Sequence, residues 1–226
     1  ENKQYVKGEL ADITERIKSN CPSDLTFNDK SDDTNAVFEF TMNFSSLEDY
    51  DAKLRNLLLA GDDKKEIDSV FTFSRPDSVF ASGVSLNENY SNTDYMKWLE
   101  NLLVNAGYVE SSNRSNILGS GKLTYDICGN KGEGSGSIRV DTIEKVQINS
   151  IELYTDINTD GTINRKIEVN FPQISMDQKG DDIKAFLESN TAGSAKGEWT
   201  EDNGICTYTI SASNLSIDGV NDLMKT

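Results

Sequence analysis

Histidine is absent from the 226 residues, and proline and cysteine occur three times each. Without imidazole there is no Ser-His-Asp or Cys-His arrangement, no His-bearing zinc site and no histidine general base. Cys21, Cys128 and Cys206 are too few and too far apart for a disulfide scaffold or a Cys-x-x-Cys site. They are expected to be small buried hydrophobes, with a single disulfide as the alternative. A Gly-x-Ser-x-Gly elbow is missing as well. No stretch approaches the roughly 20 apolar residues a membrane helix needs. Positive charge is scarce: 22 Lys and Arg stand against 38 Asp and Glu, a net charge of -16. Such a surface repels phosphate backbones and anionic lipid heads. Nucleic acid and membrane-surface binding are therefore excluded as primary roles.

What remains is the composition of a folded protein, 36% hydrophobic and 27% charged. The length suits one large domain or two modest ones. Residues 1–8 are polar and carry no signal peptide, which points to a start after a removed signal or lipid-anchoring segment. The last helical pattern reaches Thr226 after two turns, which points to a truncated end. The abundance of Asn, Ser, Thr, Asp and Gly, with no His, resembles bacterial cell-surface lipoprotein ectodomains. That resemblance is one of composition. It implies an extracellular location, anchorage to the cell surface, and an extracellular protein or glycan as partner.

The chain shows signs of internal duplication. The run Phe40-Thr41-Met42-Asn43-Phe44 aligns with Ile167-Glu168-Val169-Asn170-Phe171, sharing Asn-Phe. At the same offset Phe27 meets Tyr154, and Asp29, Ser31 and Asp33 meet Asp156, Asn158 and Asp160. Each copy reads as a hairpin, a helix, a strand pair and a second helix. In the first copy the hairpin is 25–28 with 36–44, where Phe38, Phe40, Met42 and Phe44 alternate onto one face. The helix follows Ser45-Ser46-Leu47-Glu48, a capping box in which Glu48 reaches back, and Gly61 stops it. The strand pair is 69–74 with 79–86, joined by a turn at 75–78, and the closing helix spans 93–106. The second copy offers 146–156 with 163–171, a helix over 181–189, and 197–201 with 205–211 joined by Asp202-Asn203-Gly204. Its closing helix spans 217–225.

The expected fold is therefore α+β, with two tandem ββαββα-like repeats whose helices lie on one face of antiparallel sheets. Residues 1–108 form the first repeat, 109–136 a strand-and-loop connection, and 137–226 the second repeat. Residues 117–128 of the connection read as strand, and 10–20 reads as helix.

Candidate sites are sparse. The Gly-rich stretch 129–136 leads into strand-like residues, not the helix a phosphate loop requires, so it reads as a flexible hairpin loop. Asp156-Ile157-Asn158-Thr159-Asp160-Gly161-Thr162 resembles the first half of an EF-hand or dockerin calcium loop. Asp156, Asn158, Asp160 and Thr162 would supply its oxygens, with Asp126, Asp141 or Glu168 adding a carboxylate from elsewhere. Position 12 of such a loop is Ile167, not glutamate, and strands flank it. The favoured reading is a tight hairpin turn without a cofactor, and calcium is the alternative. Tyr90, Trp98, Trp199 and Tyr208 are candidate ring-stacking residues for a ligand, weighed against plain core packing. These features suggest a non-enzymatic surface ectodomain that binds a protein, peptide or carbohydrate. The alternatives are a carboxylate-based hydrolase of polysaccharide or cell wall, using two of the many acids, and a structural spacer.

Overall fold

The computed structural model describes residues 6–32, 36–116 and 121–223, with side chains described as far as residue 221. Helices and antiparallel sheets make an α+β protein. The chain folds into two compact units, Glu1–Ser74 with Val84–Asp141, and Arg75–Gly83 with Thr142–Thr226.

The first unit opens with α1 (Leu10–Asn20), which buries Ile13 and Ile17. A hairpin follows, β1 (Thr26–Asp29) against β2 (Phe38–Thr41), in which Phe27 is paired with Phe40. Phe38, Phe40 and Met42 turn toward the core and are half-buried, as a period-two pattern requires. Helix α2 (Leu47–Gly61) is capped by Ser46, whose hydroxyl accepts from the Asp49 N–H. Asp49 in turn accepts from the N–H of Ser45, the residue before the cap, at 2.9 Å. The capping acid is thus one residue later than Glu48, because the helix starts after the second serine. Tyr50, Leu54, Leu57 and Leu58 form its buried stripe at helical spacing. Gly61 does more than stop the helix. A Cβ there would lie 2.6 Å from the Lys97 Cβ, so this glycine lets the next helix approach.

After β3 (Phe71–Ser74) the chain contributes β4 (Ala81–Ser82) to the second unit and returns as β5 (Ser85–Glu88). Strand β5 pairs with β3, placing Phe73 opposite Leu86. The expected pairing of 69–74 with 79–86 is displaced toward the C-terminus, because Ala81 and Ser82 pair with Lys145 and Glu144 instead. Ser91 caps α3 (Asn92–Tyr95) in a complete capping box with Asp94. A break at Met96, φ -95° and ψ 10°, separates it from α4 (Lys97–Asn105), which buries Trp98, Leu99, Glu100 and Leu103. The expected 93–106 helix is therefore two helices.

A 3-10 turn at Ser111–Asn116 leads to β6 (Leu123–Ile127) and β7 (Asn130–Gly134). These two form a hairpin over Cys128 and Gly129, with φ of 51° and 83°. Two successive positive φ values make the tight turn whose twist matches the strands. The glycine-rich segment is thus mostly strand rather than flexible loop, and Cys128 is exposed at the turn rather than buried. Residue 117, where the expected strand began, lies outside the described residues. Strand β8 (Arg139–Asp141) pairs with β5 and completes a three-stranded sheet ordered β3-β5-β8. The expected connection 109–136 is therefore part of the first unit, whose core includes Val109, Ile127, Ile138 and Val140.

In the second unit β9 (Glu144–Lys145) holds β4. A four-stranded antiparallel sheet follows, made of β10 (Ser150–Ile157), β11 (Ile163–Pro172), β12 (Lys196–Asp202) and β13 (Ile205–Leu215), in the order β10-β11-β13-β12. Helix α5 (Gln173–Ser189) begins well before the expected 181 and is kinked at Lys179, where φ is -142°. Phe171 and Ile183 are fully buried. Phe80 joins this core and meets Phe186 edge-on at 5.3 Å, which explains why residues 75–83 belong here. The β12–β13 turn uses Asn203 and Gly204, φ 51° and 77°, as the dipeptide predicts. Helix α6 (Ile217–Leu223) closes the unit. The rest of the expected 217–225 helix lies outside the described residues.

Element order is similar in part: β1, β2, α2, β3, β5 and α3–α4, with β4 interposed, run in the same sequence as β10, β11, α5, β12, β13 and α6. Strand pairing does not recur. Strand β11 lies between β10 and β13, whereas β2 pairs with β1 alone among the described residues. Phe44, the counterpart of Phe171, follows the end of its strand and is 42% exposed.

Candidate functional site

The first unit contains a half-open cavity of about 410 Å³. Helix α2 contributes Tyr50, Leu54 and Leu57, α3 contributes Asn92 and Tyr95, and β5 contributes Glu88. The β1–β2 hairpin and the residues after it add Phe40, Met42 and Phe44, and β6 adds Leu123, Tyr125 and Asp126. This volume and this mostly apolar, aromatic lining fall within the range of small-ligand sites.

Glu88 sets the chemistry. It is 3% exposed, because β5 alternates Val84, Leu86 and Glu88 onto the core side. Tyr50 donates its hydroxyl to Glu88 Oε1 in a short hydrogen bond. Glu88 Oε2 and the Tyr95 hydroxyl are buried and make no close, well-aligned hydrogen bond among the described residues. A loose hydrogen bond between Tyr95 and Glu88, and one from the Ile138 backbone, still act on the carboxyl. Burial raises the Glu88 carboxyl above its ordinary range, and the Tyr50 bond only partly offsets this. Tyr50 and Tyr95 are pushed far up, first by burial and then by the neighbouring Glu88 charge. A carboxylate oxygen and a hydroxyl left without a well-formed hydrogen bond in an apolar wall cost free energy, of order 1–3 kcal/mol per group. Such groups are a recognised mark of functional sites.

A second, larger cavity of about 650 Å³ in the same unit is lined by Asp62, Lys65, Asp94, Lys97, Glu100 and Arg114. Its charges are already matched. Buried Glu100 meets Lys97 at 2.9 Å and Arg114 at 3.2 Å, and Lys65 lies 3.8 Å from Asp94. These pairs hold α4 to its neighbours and leave the first cavity as the candidate site.

Apart from Asp126, which lines this cavity, the residues singled out from the sequence lie elsewhere. Trp98 is 5% exposed and meets Phe40 edge-on at 5.6 Å, and Tyr208 is 1% exposed. Both are core residues, not parts of an open binding face. The Tyr208 hydroxyl is satisfied by Thr191 at 2.7 Å. Trp199 stacks on Tyr208 at 4.6 Å and donates its indole N–H to Glu188 at 3.1 Å. Tyr90 is half-buried under the Lys65 ammonium, 4.4 Å from the ring centre. Tyr90 and Trp98 belong to the first unit, and Trp199 and Tyr208 to the second.

The Asp156–Thr162 segment closes the β10–β11 hairpin, with Asp156 opposite Asn164 in the ladder. Asp160 Oδ1 accepts from the Thr162 N–H at 3.0 Å and from its hydroxyl at 2.7 Å, which lowers the Asp160 carboxyl below its usual range. Asn158 donates to the Thr162 hydroxyl at 2.9 Å, and its backbone N–H to the Thr162 carbonyl at 2.8 Å. These side-chain oxygens therefore serve the turn. The equivalent first-copy segment includes residues 33 and 34, which lie outside the described residues. Among the described residues no group of three or more acidic or cysteine side chains is arranged to hold a metal ion.

No two of the three cysteines are paired. Cys206 is buried, its thiol raised by burial and donating to Gln173 Oε1 at 3.3 Å. Among the described residues no helix is long and apolar enough to cross a membrane.

Sequence reasoning missed Glu88. The signal was present, since Val84, Leu86 and Glu88 continue one alternation, which puts a carboxylate at a core position. The expected strand ended at Leu86, one step short of it. Comparison with protein-family models, curated proteins and solved structures yields no match.

Proposed function

We propose that the protein is an extracellular binding module whose first unit takes a ligand into the Glu88 cavity. Glu88 Oε2 and the Tyr95 hydroxyl, without a well-aligned hydrogen bond in a mostly apolar lining, carry this reading. A bound group supplying their hydrogen bonds would recover the free energy that burial costs them. The acidic, Asn- and Ser-rich composition supports an extracellular location and surface anchorage. The partly shared element order supports descent from a duplicated ββαββα unit, with strand pairing that has since diverged. Titration with 1-hexanol, followed by amide chemical shifts, tests the cavity. Shifts concentrated at Tyr50, Glu88, Tyr95 and Tyr125 are expected, and their absence at millimolar probe would sink the reading.

One observation favours a second reading, a carboxylate-based hydrolase: Glu88 and Asp126 line the same cavity. Glu88, whose carboxyl is raised by burial, suits a general acid, and Asp126 is the second carboxylate that such a mechanism needs. Release of reducing sugar from cell-wall polysaccharide, lost in both Glu88→Gln and Asp126→Asn, would establish it. No release by the unaltered protein would dismiss it.

A further inference from the structure

We propose that the Glu88 cavity recognises an organic ammonium group, with the cation against Glu88 and its alkyl or aryl body against the aromatic wall. This rests on the cavity being a ligand site, as proposed above. Three observations select a cation over a neutral or anionic ligand. First, both charged side chains of the lining, Glu88 and Asp126, are acidic, and among the described residues no lysine or arginine lines the cavity. Asp126 is exposed and already faces Lys131 at 3.7 Å, so Glu88 is the carboxylate left to a ligand. Second, Glu88 Oε2 and the Tyr95 hydroxyl both lack a well-aligned hydrogen bond among the described residues. An ammonium donates up to three hydrogen bonds and can serve the two together. Third, Phe40, Tyr50, Tyr95 and Tyr125 line the same cavity. Aromatic faces attract cations, most strongly where water is excluded.

Electrostatics agree with this choice. A net charge of -16 draws cations toward the surface and repels carboxylates and phosphates. Burial raises the Glu88 carboxyl above its ordinary range. An arriving cation opposes that shift, because an opposite charge close by stabilises the carboxylate. Amine affinity should therefore weaken as pH falls and Glu88 takes up its proton, which titrations at a series of pH values follow.

The ammonium could be a free amine or a lysine side chain. Calorimetric titrations with n-hexylamine, 1-hexanol and N-acetyl-lysine-N-methylamide separate these sources. They are run at pH 7.5 in 0.15 M salt, which damps non-specific attraction. The expected result is hexylamine binding at least tenfold tighter than hexanol, with that preference lost in Glu88→Gln. Tyr95→Phe, which removes that hydroxyl, should weaken the amine severalfold while leaving the fold intact by circular dichroism. Binding of the lysine derivative as well assigns the site to peptides, and hexylamine alone assigns it to free amines. Equal binding of amine and alcohol overturns the ammonium inference and leaves the cavity reading standing. An amine preference that survives in Glu88→Gln also overturns it, since bulk charge would then be the cause. No binding of any probe overturns both.

Discussion

The two units share part of an element order but build different cores. In the first, helices α1, α2 and α4 supply most of the buried side chains, and the strands are short pairs and a three-stranded sheet. In the second, one continuous four-stranded sheet carries the structure, and α5 covers β11 and β13 around Phe171, Ile183 and Tyr208. The difference lies in strand length and partner choice. Strands β10 to β13 are 7 to 11 residues long, whereas β1, β2, β3 and β5 have four each. Long strands satisfy one another's backbone groups across a shared sheet, and short ones leave much of the core to helices. The shorter strands also leave room between the hairpins and α2, and the cavity lies there. Coverage differs too. On β10, Ile151, Leu153 and Ile157 share the face of the second core yet remain 65%, 53% and 76% exposed. The lesson is that similar element order does not imply matched packing.

The sharpest way to break this comparison is to truncate the two matched phenylalanines. Phe171→Ala removes a fully buried ring and should cost about 3–5 kcal/mol. Phe44→Ala removes a half-exposed ring that meets Tyr50 at 4.5 Å, and should cost about 0.5–1.5 kcal/mol. Urea unfolding of both variants gives the two values, and equal losses would restore the structural equivalence. Leu99→Ala, at 5% exposure in the helical core, should fall at about 2–5 kcal/mol. A loss below about 0.5 kcal/mol, the range of ordinary surface changes, would mean α4 presents another face.

Next in size are the two hairpin turns, one in each unit. Gly129→Ala and Gly204→Ala each force a Cβ into positive φ and should each cost about 1–2 kcal/mol. Similar thermal shifts would show that this turn is one feature the units share in energy as well as in shape. A smaller effect concerns pH. The folded state raises the Glu88 carboxyl above the ordinary value of 4.5, so the unfolded chain ionises first as pH rises. Stability from this group is present in full below that value and is lost as pH climbs through the folded one. The stability difference between wild type and Glu88→Gln should therefore shift against wild type as pH rises, which urea midpoints from pH 4 to 8 would follow. No change across that range would mean Glu88 titrates normally. The smallest expected effect is calcium on the second unit's Asp156–Thr162 turn. Melting curves with millimolar calcium and with chelator should coincide. A stabilisation abolished in Asp156→Ala and Asp160→Ala would instead make that turn an ion site.

Local structure was largely legible in the sequence. The α2 stripe, the Ser91 helix start, the Asn203-Gly204 turn and the α+β class all follow from periodicity and side-chain chemistry within a few residues. These signals survive because capping, turn geometry and amphipathic spacing are short-range effects. The candidate site was only half legible. Tyr50 and Tyr95 fall within the two helices expected in the first copy, but Glu88 lies beyond the expected strand 79–86. What the tertiary structure alone decided was partnership between distant segments. It paired Ala81 with Lys145 rather than within a local hairpin. It also buried Trp98 and Tyr208, and it set Glu88 beside hydroxyls 38 residues before it and seven after. Strand pairing and burial depend on which surfaces meet once loops close, and no local pattern encodes the partner. The net charge, the absence of histidine and the succession of elements belong to the sequence by itself. The cavity belongs to the fold, because its lining comes from helices and strands that only packing brings together.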